Sequence, residues 1–262
     1  MLGTASASFR ALVLPKEHGS WSFAFEPVAL GLLVAPSRPG ALLAFAVLAG
    51  FFSRRPLKLA VTLPAHDPRR RPALPWAILW SALALAGIGV TAMIGSWAAL
   101  WPLLLCVPFG AIFLWFDLRN VMREAEAEIS GSAAFALLPA TFATLAGWNS
   151  STALGLAALM LTRSLPTVLT VRTYVRRAKG QPVHPTGAFA AAGAAFAIIS
   201  VLALNGIVPI AGCVFAGVLF ARTLIFLILL RPSWPAKRIG QCEAVLGVLC
   251  LVGFALGYHY SA

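Results

Sequence analysis

ALLAFAVLAGFFSRRPLKLAVTLPAHDPRRRPALPWAILWSALALAGIGV (residues 41–90) holds two long apolar runs with a short basic segment between them. The same alternation recurs along the whole chain, which is 60% hydrophobic and only 11% charged, with a mean hydropathy of +0.87. At about 20 apolar residues per crossing of a ~30 Å hydrocarbon core, the sequence divides into about nine spans. They cover residues 18–36, 39–63, 74–95, 98–116, 129–148, 151–175, 186–205, 208–230 and 239–258. Backbone polar groups in lipid must be satisfied within the segment, and period-two alternation is absent, so the spans read as helices and not barrel strands. The predicted fold class is all-α, a polytopic membrane helix bundle forming a single domain over residues 1–262.

Lys and Arg fall in alternate gaps. One side receives Arg10 and Lys16, the group from Arg54 to Arg71, Arg119 and Arg123, the group from Arg163 to Lys179, and Arg231, Lys237 and Arg238; the other receives Arg38. Basic residues resist translocation, so the crowded side is expected to be cytoplasmic, with the N-terminus there and the C-terminus opposite, in the cell membrane. The formal charge of +12 then needs no nucleic acid as partner, and the expected partners are membrane lipids. The opening residues lack a sustained apolar core ahead of their first charges, so no cleaved secretory signal is expected. Cys106, Cys213, Cys242 and Cys250 lie in apolar spans without metal-type spacing and read as structural thiols, and His18 and His259 fall at opposite faces.

Polar residues inside spans are expensive and point to function. Glu26 lies about two turns into the first span, and Arg222 about two turns inside the eighth. Arg163, Thr167, Thr170 and Tyr174 recur at helical spacing and form one polar stripe on the sixth span. Glu243 begins the ninth, while Arg54, Arg55, Lys58 and Arg172 sit near the cytoplasmic ends of the second and sixth. Pro56 and Pro166 stand at matching places in FFSRRPLKLAV (residues 51–61) and LTRSLPTVLTV (residues 161–171), hinting at an internal repeat with two bent, cavity-lining spans. Arg163 is placed at the boundary, with Glu26 and Arg222 deeper. Together these residues outline a polar chamber open to the cytoplasm; the competing reading is a set of buried ion pairs that fixes helix register.

PKEHGSWSFAFEPVALGLL (residues 15–33), RRPL (residues 54–57), the Arg163-to-Pro166 spacing and VRTYVRRAKGQP (residues 171–182) resemble the YwiC-like membrane proteins nearly end to end. The opening motif adds Glu17, His18 and Trp21 to the candidate substrate-binding residues. More distantly, the helix order and the polar loops after the second and sixth spans are similar to the UbiA-type intramembrane prenyltransferases. That resemblance implies a four-plus-four-plus-one helix arrangement, a lipid-open tunnel, and aspartate-rich loops that hold magnesium and a prenyl diphosphate. The aspartate-rich motifs are missing here: Asp67 is the single acid between the second and third spans, and none lies between the sixth and seventh. Arginine, which binds phosphate bidentately without a metal, takes their place. Asp117 and the run Glu124, Glu126, Glu128 remain on the same side, the run reading as a solvated helix start.

The expected function is therefore a cytoplasm-facing basic chamber that binds an anionic amphiphile, an isoprenoid diphosphate among the candidates, in a divergent prenyltransferase-like protein. No metal site and no cofactor are expected, with magnesium left open, and no catalytic residue is assigned. Alternatives are a small transporter using Glu26 and Arg222 as a proton or anion relay, or a non-catalytic membrane accessory protein. The charge bias makes a topological prediction: a phosphatase fused after Ala262 should be active and a fluorescent reporter there dark. The reverse pattern would mean an even number of crossings.

Overall fold

The computed structural model of the protein describes residues 12–14, 18–122, 124–229 and 234–261. Among them there is no strand, and the helices follow one another in antiparallel order with short connections. They are α1 (His18–Val34), α2 (Arg38–Thr62), α3 (Arg70–Ile94), α4 (Leu103–Leu118), α5 (Ala125–Ala136), α6 (Leu138–Leu145), α7 (Ser150–Ala178), α8 (Thr186–Leu204), α9 (Ile210–Leu224) and α10 (Ala236–Ser261). The helices α5 and α6 form one crossing, Ala125–Leu145, and α9 runs on through a π turn at Ile225–Leu229. Seven stretches are long and apolar enough to cross a membrane, and Trp21–Val34 and Leu103–Leu118 are shorter apolar helices. The protein is a multi-pass membrane helix bundle.

Local sequence sets the helix ends. Ser37 caps α2 by accepting from the Gly40 amide at 3.1 Å, and Asn149 caps α7 by accepting from the Thr152 amide at 2.9 Å. Both Pro56 and Pro166 lie inside unbroken helices, so neither span is interrupted. The fourth crossing starts later than its hydropathy implies, because Ala98–Leu100 forms a 3₁₀ turn ahead of α4.

The helix α7 is the spine. Leu156, Leu159 and Met160 are buried against Leu30 of α1, Ile199 of α8, Leu219 of α9 and Phe254 of α10. A second core joins Val28, Leu43, Leu138, Phe142 and Leu145. The outer faces of α3, α4, α8 and α10 expose residues such as Leu85, Leu104, Ile198 and Val248, as lipid contact requires. Small residues let backbones approach where α2 meets α3: a Cβ on Gly87 would lie 2.8 Å from the Ala46 Cβ and 3.3 Å from its Cα. Gly89, two residues on, faces open space. Gly87→Ala should therefore destabilise the bundle by about 1–3 kcal/mol, the usual range for overpacking. Gly89→Ala should be neutral or mildly stabilising in the same thermal unfolding assay in uncharged detergent.

Candidate functional site

The polar residues of the spans assemble into two clusters at different depths. The deeper one surrounds Arg163, which lies about 20 Å along α7 from Ser150 and about 22 Å from Ala178. The residue is 4% exposed. Nη1 donates to the Thr167 hydroxyl at 2.6 Å and to Glu243 Oε2 at 3.4 Å, Nη2 donates to the Glu243 carbonyl at 2.7 Å, and Nε stands 3.6 Å from Glu26 Oε2. Arg222 of α9 joins from the far side: its Nη2 donates to the same Thr167 hydroxyl at 2.8 Å, and Nη1 lies 3.3 Å from Glu243 Oε1. Thr170 and Thr223 meet at 3.1 Å one turn away. Two arginines thus face two glutamates, contributed by α1, α7, α9 and α10.

Backbone detail makes this convergence possible. A Cβ on Gly247 of α10 would collide with the Glu26 carboxylate and sit 2.8 Å from Arg163 Nη2. Only the absence of that carbon lets Arg163 reach the Glu243 carbonyl one turn earlier. Past Arg222, α9 widens into its π turn, and the Leu227 carbonyl accepts a 2.8 Å hydrogen bond from Arg177 Nη1. The space bounded by Glu26, Met160, Arg163, Gly247, Cys250 and Phe254 is too tight to admit a water molecule. Even so, Arg163 Nε, Arg222 Nε and Nη1, and Glu243 Oε1 make no hydrogen bond of good geometry.

The shallower cluster lies at the basic end of the bundle. Asp117 of α4, 1% exposed, accepts from Arg54 Nε and from Lys58 Nζ, both at 2.7 Å. Arg54 also lies 4.7 Å from the centre of the Phe113 ring and donates to the Met122 sulfur at 3.0 Å. Arg55 donates to the Leu14 carbonyl. Arg172 turns to the opposite side of α7 from the Arg163 stripe and donates to Glu128 at 3.0 Å. Glu128 therefore ties α5 to α7 as well as standing in the first turn of its helix. The loop acid Asp67 is half-buried and held by Arg69 at 2.8 to 3.0 Å, hydrogen bonds that bring the pKa of its carboxyl down to about 2.

The structure thus brings Glu26, Arg163, Thr167, Thr170, Arg222 and Glu243 together and sets Arg54, Arg55, Lys58 and Arg172 apart from them. Arg163 is not at the boundary; it is level with Glu26 and Arg222, because α7 continues 15 residues beyond it. Trp21 packs among Phe25, Phe51 and Phe52 with ring centres 5.6 to 5.9 Å apart. Glu17 and the side chain of His18 lie outside the described residues. Asp117 and Gly247 were not among the candidates; Lys58 standing four residues after Arg54 on one helix face was the available sign that a buried acid would answer them. An open groove along the outside of α3, at Leu74, Ile78 and Leu79, contains none of these residues. Among the described residues no three His, Cys, Asp or Glu side chains gather as a metal-binding group, and Glu26 and Glu243 are both turned to arginine. This donor set does not fit a magnesium diphosphate site.

A family model described as YwiC-like protein matches residues 14–143. Over that region, just under half of the chain, it resembles the YwiC-like proteins, and the match does not reach the Arg163-to-Pro166 spacing or residues 171–182. The matched region carries α1 to α5 and most of α6, hence Glu26 and the Arg54–Lys58–Asp117 cluster, while Arg163, Arg222 and Glu243 come from the remainder. No curated protein and no solved structure matches the chain.

The Gly247 contact makes a prediction. Gly247→Ala pushes against the flexible ends of Glu26 and Arg163, so the protein should fold while Glu26 is displaced from its partner. In a double-mutant cycle, Glu26→Gln should then cost less in the Gly247→Ala background than in wild type, by about 0.5–3 kcal/mol. Additive effects would separate the two positions.

Proposed function

We propose that this YwiC-like protein binds an anionic amphiphile, an isoprenoid diphosphate among the candidates, in the cell membrane, with its N-terminus and the basic end of the bundle in the cytoplasm. The observation that carries the reading is the loose pairing of buried guanidinium donors: Arg222 Nε and Arg163 Nε make no hydrogen bond, Arg163 Nε standing 3.6 Å from Glu26, and Arg222 Nη1 has only the 3.3 Å approach of Glu243 Oε1. Phosphate oxygens are the acceptors that such donors suit, and two converging forks can hold one group bidentately. The Arg54–Lys58–Asp117 cluster lies toward the basic end and would attract an anionic head group before it enters. The proposed likeness to prenyltransferases comes without their aspartate-rich loops, and binding through guanidinium needs no divalent ion. As Glu26 and Glu243 stand against the arginines, entry requires α1 or α10 to shift and Glu26 to let go of Arg163.

Mass spectrometry of the detergent-extracted protein should find a co-purified phosphorylated lipid. In phosphatidylcholine nanodiscs, dodecyl methyl phosphate should bind far better than dimethyl phosphate, and chelation of divalent ions should not matter. Arg163→Ala should weaken binding by about 1.5–3 kcal/mol, the range for a hydrogen bond to a charged group. Arg163→Lys should recover part of that loss, and replacing Arg69 to Arg71 by Gln should have little effect, since exposed charges contribute little. Equal, small effects from all variants would defeat the reading.

A further inference from the structure

The deep cluster is electrically balanced. Arg163 and Arg222 contribute two positive charges, Glu26 and Glu243 two negative ones, and all four are packed among helices with little exposure. A ligand bearing negative charge cannot be added to such a set without leaving a net charge in an apolar interior, which costs several kcal/mol. Balance is restored when one carboxylate takes up a proton for each negative charge admitted. We infer that anion binding at the Arg163–Arg222 pair is coupled to protonation of Glu26.

The two glutamates are not equivalent. Glu243 bridges both arginines, at 3.4 and 3.3 Å, and its own carbonyl is a further anchor for Arg163. Glu26 meets Arg163 Nε alone, at 3.6 Å and without a hydrogen bond, and its side chain is the more exposed of the two, 15% against 10%. An oxyanion that takes Arg163 Nε therefore displaces Glu26 first. Left beside Met160, Leu251 and Phe254, a carboxylate without its cation becomes neutral by binding a proton. The groups facing it are Arg163 from α7, and Glu243 and Cys250 from α10. From α6 no titratable residue is available, while Arg54 and Lys58 of α2 are held on Asp117, and Glu128 of α5 on Arg172.

The step balances simply. A proton from bulk water at the basic end moves onto a Glu26 carboxylate oxygen, the ligand's negative charge takes that carboxylate's place against Arg163, and the ligand itself is chemically unchanged. Above the point where free Glu26 is ionised, affinity should fall by about tenfold per pH unit for one proton taken up per single negative charge. The inference rests on the anion-binding reading of the site and adds its coupling ion.

Dodecyl methyl phosphate is a suitable probe because its single charge does not change across the neutral range. Titration calorimetry of the full chain in phosphatidylcholine nanodiscs, repeated in buffers of different ionisation heat, counts the protons taken up on binding. Wild type should take up close to one per probe. Glu26→Gln should bind more tightly than wild type at neutral pH and lose the tenfold pH slope, while Glu243→Gln should keep it. Infrared difference spectroscopy of wild type should show a new protonated-carboxyl band on binding, a readout that needs no variant. Binding without proton uptake would overturn the coupling and leave the anion site standing. A slope that persists in Glu26→Gln would overturn the assignment to Glu26. No binding of the probe at any pH would overturn both the coupling and the anion site.

Discussion

A guanidinium in the middle of a membrane has to be answered by the protein, and Arg163 on α7 imposes that demand on the bundle. Lipid offers no acceptor, and the side chain is too deep on its helix to reach water at either end. Two other helices therefore bring acceptors to it, and a third brings a second arginine. Glu26 comes from α1 and Glu243 from α10, while Thr167 on the next turn of α7 also receives Arg222 from α9. Apolar packing between α7 and its neighbours is compatible with many rotations, since lipid is as apolar as a leucine side chain. The charges select one of them.

The two clusters do different work. Asp117 with Arg54 and Lys58 is compact and well bonded, with short hydrogen bonds to both carboxylate oxygens. It fastens α4 to α2, helices that otherwise touch little, and its cations keep access to the polar boundary. The deep cluster has short hydrogen bonds to Thr167 and the Glu243 carbonyl, but its charge pairs are longer, at 3.3 to 3.6 Å, and donors are left unmatched. One set of side chains is optimised as a joint, and the other is held short of its best geometry.

Much of the fold was legible because a membrane imposes simple rules. Apolar length and basic gaps locate the crossings, and the 163, 167, 170, 174 spacing defines the stripe on α7, whose tyrosine hydroxyl indeed accepts from the Trp234 amide on the α9–α10 side. Partnership was harder to read. Periodicity tells which residues share a face, but Glu243 is 80 residues from Arg163, and nothing local says that their faces meet. Arg163 was misjudged in depth because a basic loop follows it; the 29-residue length of α7 carries that loop well past the hydrocarbon. Gly247 was invisible for another reason: its contribution is a missing atom, apparent only once Glu26 and Arg163 are seen to occupy the space.

Stability alone does not account for the deep cluster. Buried ion pairs usually return about what their desolvation costs, and apolar side chains of similar volume would pack α1, α7, α9 and α10 as firmly. A register device would need only one well-made pair, of the kind Asp117 provides. Four charges with imperfect contacts, a glycine that keeps one glutamate within reach of its arginine, and a π turn beside the second arginine form a more adjustable arrangement. Partial satisfaction lowers the barrier to exchanging one acceptor for another, since the bonds broken are weak ones. The geometry that makes this cluster a poor staple is the geometry on which the proposed competition of an anion with Glu26 for Arg163 rests.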